Sequence, residues 1–203
     1  MALALNKTTL KQQRDQAKTF KQFLPSLDLK RQQLLAALKQ ARNQHASVEA
    51  EIQSLTHELQ SLYPLLGSTT IPNVNVSQLI RVQSVRVETE NMVGTRLPVI
   101  REIDFQVLEY STLATPFWLD HLVDALRRML RLRIEHQVSQ RRVELLELAA
   151  RRITQRVNLF EKVLIPRAQE NIRRISIFLS DQERAAVVRS KSPKGNKLPK
   201  LSA

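Results

Sequence analysis

The amino-acid sequence predicts a mainly α fold in which long coiled-coil helices flank a small mid-chain β-hairpin. The 203 residues include three glycines and no cysteine, and 42% are hydrophobic while 4% are aromatic, a composition poorly suited to a compact single-core domain. Apolar residues recur at helical spacing over long stretches of both halves of the chain. Two short segments between these stretches alternate apolar and polar residues, as half-buried strands do.

The first element is a coiled-coil helix within residues 1–63. From Leu24 onward, apolar positions follow one another at alternating intervals of three and four residues, the a and d pattern of a heptad. Arg31 and His45 interrupt this seam, and we interpret His45 as a polar residue that sets the register rather than as a metal ligand or pH switch. The seam positions are Leu24, Leu27, Arg31, Leu34, Leu38, Ala41, His45, Val48, Ile52, Leu55, Leu59 and Leu62.

A connecting region, residues 64–116, follows. Three helix breakers, Pro64, Gly67 and Pro72, open it. The segments LIRVQSVRVE and REIDFQVLEY read as strands joined by a turn around Gly94, with a bulge at Gln83 and Ser84 that restores the alternation of the first strand. An isolated hairpin is marginally stable in water, so we expect this one to pack on the helices or on a partner. The hairpin residues predicted to make this contact are Val85, Val87, Ile103, Phe105 and Val107.

The second arm is a long helix at residues 117–189, with Thr115 as its N-cap and Pro116 at its first helical position. Such a helix would be ~110 Å long at 1.5 Å per residue, so it must pair with another element along its length. Its seam positions recur about every 3.8 residues, nearer to an eleven-residue repeat than to a heptad. They are Leu145, Ala149, Ile153, Val157, Phe160, Leu164, Ala168, Ile172, Ile175 and Leu179. Residues 190–203 are predicted to form a basic flexible tail.

Motifs of enzyme active sites are missing from the sequence. There is no glycine-rich phosphate loop and no GxSxG, and His45, His57, His121 and His136 lack a paired ligand spacing such as HExxH. Glu102, Asp104 and Glu109 are interpreted as a solvated strand face. We therefore expect no catalytic residues, no metal and no cofactor.

The net charge of +13 raises the possibility of nucleic-acid binding. Its distribution is uneven: residues 1–63 carry +4, residues 64–116 carry −1, residues 117–189 carry +6 and residues 190–203 carry +4. The run RRMLRLR, Arg127 to Arg133, could grip phosphates, but Met129 and Leu130 lie within it on the helix seam, and it lacks aromatic residues that could stack on bases. We interpret this run as solvated or facing protein.

No apolar run approaches the ~20 residues of a membrane-spanning helix, and the apolar part of the N-terminus is too short for a secretory signal. The sequence thus predicts a soluble intracellular chain without direct membrane insertion.

Two sequence blocks carry a family resemblance. The stretch RVNLFEKVLIPRAQENIRRI resembles a signature of the D subunit of V-type and archaeal-type ATPases, and FLPSLDLKRQQLLAAL resembles an N-terminal block of the same family. Phe160 and Ala168 depart from the residues common in that signature. The two blocks lie on the two predicted helical arms in the family's order.

This resemblance implies a non-catalytic central rotor stalk made of two long antiparallel helices. The implied partners are the catalytic and regulatory A and B subunits of a hexamer, the F subunit of the stalk and a membrane-side rotor subunit of the C or d type, with no nucleic acid. The location would be cytoplasmic and peripheral to the membrane. On this basis Arg151, Arg152, Arg156 and Pro166 are predicted to contact the hexamer, and a helix bend at Pro166 would present different faces of the shaft as it turns. The alternative is that Pro166 makes only a kink that is tolerated at a stutter of the coiled coil.

Two other classes of protein stay open at this point. A basic coiled-coil nucleic-acid binder would account for the charge and would bind DNA with a steep salt dependence. A helical adaptor would account for the seams but not for both family blocks.

Overall fold

The computed structural model describes residues 3–60, 64, 79–108 and 118–195. Helix α1 runs over Lys7–Gln60, strand β1 over Ile80–Met92, strand β2 over Thr95–Val107, and helix α2 over Trp118–Leu159. A single π-helical turn, Phe160–Leu164, joins α2 to helix α3, Ile165–Gly195. The mainly α fold with a mid-chain antiparallel hairpin is confirmed. The predicted breakers Gly67 and Pro72 and the predicted helix start at Thr115 and Pro116 lie outside the described residues.

The chain divides into two compact units, Met1–Lys30 with Ile153–Ala203, and Arg31–Arg152. In the first unit, Lys7 pairs with Glu183, with Nζ and Oε1 3.5 Å apart, and Asn171 donates a hydrogen bond to Gln13. The N-terminal and C-terminal helical segments of this unit therefore run antiparallel. The buried side chains between them are Ala17, Ile153, Val157, Ala168 and Ile175.

In the second unit the same antiparallel pairing is held by contacts between α1 and α2. His45 bonds to Ser139, and farther along Arg42 bonds to Glu147. A hydrophobic cluster at the other end packs the end of α1, the base of the hairpin and the start of α2 against one another. Its buried members are Leu55, Leu59, Leu79, Ile80, Trp118, Leu119, Leu122, Val123 and Ala125.

Helix α1 begins seven residues into the chain because Asn6 caps it. The Asn6 side-chain oxygen accepts a hydrogen bond of 2.7 Å from the Thr9 backbone N–H, which satisfies one of the donors left free at a helix start. Every described position of the predicted α1 seam is buried or half-buried. The heptad of the sequence therefore defines the packed face of this helix.

The seam of the C-terminal arm differs from the prediction at its start. Leu146 and Ala150 are 1% and 4% exposed and lie deeper than the predicted Leu145 and Ala149. The seam then returns to the predicted positions at Ile153 and Val157. Buried positions thus follow heptad spacing before the π turn, and the next buried residue, Ala168, comes eleven residues after Val157. A π turn adds a residue to one helical turn, so the long interval predicted for the whole seam is localised there.

The arm also extends beyond the predicted boundary at residue 189. Helix α3 continues to Gly195, within the segment predicted to be a flexible tail, and residues 196–203 lie outside the described part of the chain.

Candidate functional site

The hairpin joins two strands of equal length through a tight two-residue turn. Val93 and Gly94 occupy the turn, with φ of 53° and 83°, and Met92 pairs with Thr95 across it. The register shifts between Val82 and Ser84, which confirms the predicted bulge at Gln83. These positive φ values match the type I′ turn that suits the twist of paired strands.

A second register shift, between Arg86 and Val87, was not predicted from the sequence. It leaves Arg101 outside the register of paired residues, because Glu102 pairs with Arg86 and Ile100 pairs with Val87. Each bulge reverses the alternation of its own strand. The two bulges together keep the apolar pairs on one face of the hairpin: Ile80 with Val107, Val82 with Phe105, Val85 with Ile103, and Val87 with Ile100.

The five predicted contact residues of the hairpin fall into two groups. Phe105 and Val107 pack against the hydrophobic cluster of the second unit, so they contact the chain's own helices. On the other strand, Val85 and Val87 are 38% and 46% exposed. Ile103, which pairs with Val85, is half-buried. Phe105 and Val107 of β2 therefore help to anchor the hairpin to the helices, whereas Val85 and Val87 of β1 are exposed.

The opposite face of the hairpin is a network of ion pairs. Arg101 Nε lies 2.7 Å from Glu88 Oε2, and Arg86 Nη1 lies 3.1 Å from Glu102 Oε2. The hydrogen bond to Glu88 and its charge raise the pKa of Arg101. Ser84 donates a hydrogen bond of 2.5 Å to Asp104. Glu102 and Asp104 thus serve strand pairing, as expected of a solvated face, and Glu109 lies outside the described residues.

The arginines predicted to face the hexamer are exposed. The Arg151 side chain is 78% exposed and its Nη2 lies 3.8 Å from Glu147 Oε2, a weak contact within one helix. Arg152 and Arg156 are exposed as well. All three guanidinium groups are accessible to another protein.

Pro166 lies on the exposed surface of α3, two residues after the π-helical segment. The Ile165 backbone N–H donates to the Phe160 carbonyl, five residues back, and the chain stays helical through the proline. A proline ring collides with the carbonyl four residues earlier in an α-helix, and the wider π turn relieves this collision. The Phe160 ring packs edge-on to Phe20 with centroids 5.4 Å apart, so the turn is held against α1. Pro166 predicted a bend in the helix, but the sequence does not specify that the preceding turn is π-helical.

His45 contacts residues that sequence reasoning did not pair with it. Its Nδ1 lies 2.9 Å from Ser139 Oγ, and its ring lies against that of His136 with centroids 4.5 Å apart and planes tilted by 41°. This polar contact across the seam suits a register-setting role. Groups of three or more metal-ligating side chains are absent from residues 3–60, 79–108 and 118–195.

The arginine run also has a defined geometry. Met129 and Leu130 pack on the hydrophobic cluster, while Arg127, Arg128 and Arg131 line a concavity of about 540 Å³. The other lining residues come from the hairpin: Gln83, Ile103, Asp104 and Phe105. The apolar side of the run therefore packs on the hydrophobic cluster, and its basic side faces the hairpin.

Comparison with known proteins decides the family. The model of the ATP synthase D-subunit family matches residues 9–195. The chain belongs to the ATP synthase D-subunit family. This confirms the resemblance inferred from the two sequence blocks. No helix in the described part of this D-subunit chain is sufficiently long and apolar to cross a membrane.

Curated relatives agree over nearly their whole length. A V-type ATP synthase D subunit of Borreliella burgdorferi is 34% identical over 198 residues, covering 98% of this chain and 96% of the relative. The V-type ATP synthase D subunit of Chlamydia trachomatis is 33% identical over 184 residues, covering 89% and 88%. That of Chlamydia pneumoniae is 29% identical over 180 residues, covering 88% and 85%. The chain is thus similar to D-subunit proteins along both helical arms and the hairpin.

Proposed function

We propose that this chain is the non-catalytic rotor shaft of a V-type or archaeal-type rotary ATPase. It would couple ATP hydrolysis or synthesis in a hexamer of A and B subunits to ion translocation across the membrane. The observation that carries the proposal is membership of the D-subunit family combined with long helices that pair antiparallel within each unit. Paired helices with continuous apolar seams are stiff, and stiffness is what the transmission of torque requires.

The coupling would be reciprocal. If shaft orientation changes the nucleotide affinity of a catalytic interface, then nucleotide binding must change the preferred orientation by the same free energy. Contacts between shaft and hexamer should therefore be weak and exchangeable. Exposed ion pairs, worth about 0–1 kcal/mol each, meet this need without holding one orientation. Arg151, Arg152 and Arg156 are exposed as such contacts require.

The exposed apolar residues of β1 are assigned to a different kind of contact. Val85 and Val87 would bind the F subunit of the stalk, which turns with the shaft and so needs no exchangeable interface. Pro166 would contribute by altering the axis of the C-terminal arm where it faces the hexamer. The membrane-side rotor subunit would bind elsewhere on the chain, and the complex would lie on the cytoplasmic side of the membrane.

The double substitution Arg151→Glu with Arg152→Glu tests the proposal. We expect slower assembly or slower ATP-driven rotation of the reconstituted complex, with helical content unchanged because both side chains are exposed. The matched control, Arg151→Lys with Arg152→Lys, keeps both charges and should behave like the unaltered chain. Intact ATPase coupling together with loss of tight, salt-sensitive binding to duplex DNA would favour the nucleic-acid function instead.

A further inference from the structure

The concavity between the hairpin and α2 is basic. Arg127, Arg128 and Arg131 line it, and none of them forms an ion pair with another described residue. Asp104 is the acidic residue among the lining, and its Oδ2 already accepts a hydrogen bond from Ser84. Three positive groups and one negative group leave a local charge of +2. The concavity therefore attracts anionic groups.

The position of these arginines is fixed by packing beneath them. Leu126, Met129 and Leu130 of the same helix pack on the hydrophobic cluster, which sets the rotation of α2 about its axis. Arg127 and Arg131 are four residues apart and so share one face of the helix. The guanidinium groups are thereby presented together toward the hairpin rather than spread around the helix.

The remaining lining residues are Gln83, Ile103 and Phe105, and the last two are apolar. Ile103 and Phe105 are half-buried, and Phe105 also packs on the hydrophobic cluster, so its ring is not free to intercalate or to stack on a base. Arginine beside aromatic and aliphatic surface in a concavity is the composition of protein interfaces. Arginine also binds carboxylates through two parallel hydrogen bonds. The chemistry fits a protein segment with carboxylates around an apolar side chain better than it fits a nucleic acid.

We infer that this concavity is the docking seat for an acidic segment of a stalk subunit that turns with the shaft, a segment carrying an apolar anchor for Ile103 and Phe105. The inference rests on the proposed function. A co-rotating partner must stay bound through every turn, and paired arginine–carboxylate contacts over an apolar floor are suited to a persistent interface.

Crosslinking in the assembled complex identifies the occupant. A photoreactive benzophenone amino acid replaces Gln83, the exposed bulge residue that lines the concavity. The control carries the same group in place of Arg133. This residue is exposed on α2, the helix of the lining arginines, but is not part of the lining. We expect the group at position 83 to label a stalk subunit on a peptide with several carboxylates and an apolar residue. Labelling of a hexamer subunit, or no labelling, would overturn the inference.

A pair of charge reversals then tests the arginines themselves, with the labelled stalk subunit as the probe. Arg131→Glu should weaken its binding about tenfold or more, and added salt should weaken the unaltered interaction. Arg133→Glu is the matched control and should leave the affinity unchanged, with the same circular dichroism for both variants. Equal effects of the two reversals would contradict the assignment. Binding of a short DNA duplex or of inorganic pyrophosphate that Arg131→Glu abolishes and Arg133→Glu preserves would also contradict it.

These outcomes separate the inference from the function on which it rests. If the unaltered chain assembles and its complex couples ATP hydrolysis to rotation, but position 83 labels no stalk subunit, the docking seat is wrong and the rotor function stands. If the unaltered chain does not join the complex at all, both are wrong.

Discussion

At the scale of single residues, contacts between the helices are polar as well as apolar. Arg42 Nη2 lies 2.6 Å from Glu147 Oε1, joining α1 to α2 in the second unit. The hydrogen bond from Arg42 is the main reason that the pKa of Glu147 lies below its usual range; partial burial opposes this shift, and the charges of Arg42 and Arg151 add to it. The ionised carboxylate is therefore favoured in the folded chain.

A pH-dependent stability follows from this contact. Because the pKa of Glu147 is lower in the folded chain, its contribution is present above the unfolded value, about 4.3, and is lost as the pH falls through the folded value. Glu147→Gln should lower Tm at pH 7 and have a smaller effect near pH 3, measured by thermal unfolding. Glu49→Gln, at an exposed position of α1, is the control. An effect of Glu147→Gln that is equal at both pH values would contradict this account.

We expect substitutions on the two strands of the hairpin to have different effects. Phe105→Asp places a charge against the hydrophobic cluster and should cost about 2–5 kcal/mol of folding free energy, seen in chemical denaturation. Val87→Asp, at a position 46% exposed, should leave stability nearly unchanged while reducing retention of the stalk's F subunit in a pull-down. Equal stability losses would mean that β1 is packed as tightly as β2.

At the scale of elements, local sequence patterns predicted the helices, the strands, the Gly94 turn and the first bulge. They did so because the heptad of α1 and the alternation in β2 each define one packed face. The second bulge was missed because Arg101 and Glu102 are two consecutive polar residues between Ile100 and Ile103, and residue type does not show which of the two lacks a register partner. The π turn was missed for a related reason: Pro166 reveals a strained position, but not how the preceding turn relieves it.

The candidate site, like the fold, was predicted from the sequence only in part. Sequence reasoning found the apolar hairpin residues, but the burial of Phe105 and the exposure of Val87 depend on contacts with distant helices. It also identified the run of arginines, but not the hairpin residues that line the concavity with them. Local periodicity does not encode which residues far apart in the chain come together, such as Gln83 and Arg128, which line the same concavity.

The hairpin turn predicts a stabilising substitution. Val93 adopts φ of 53°, a conformation that costs a β-branched residue about 1–2 kcal/mol. Val93→Asn should relieve this cost, because asparagine tolerates the left-handed region and suits the first position of a type I′ turn. We expect slower amide hydrogen exchange across β1 and β2. Val99→Asn, a matched change within the strand, should not slow exchange, and faster exchange in Val93→Asn would contradict the turn geometry.

At the scale of the whole molecule, charge is distributed according to the kind of contact proposed for each region. The helical arms and residues 190–203 carry the positive excess, and residues 64–116 carry −1. Exposed arginines on the arms suit exchangeable contacts with a surrounding hexamer. The hairpin region combines exposed apolar residues with a basic concavity, and these suit partners that turn together with the shaft.

Rotation of a single labelled complex tests the central claim most directly. Because the chain contains no cysteine, Asn91→Cys at an exposed hairpin position creates a unique attachment point for a probe. With the hexamer fixed to a surface through its catalytic subunits, the rotor function predicts unidirectional rotation of the probe that starts on addition of ATP and stops on its removal. A probe that stays still while the same complexes hydrolyse ATP would contradict the rotor function.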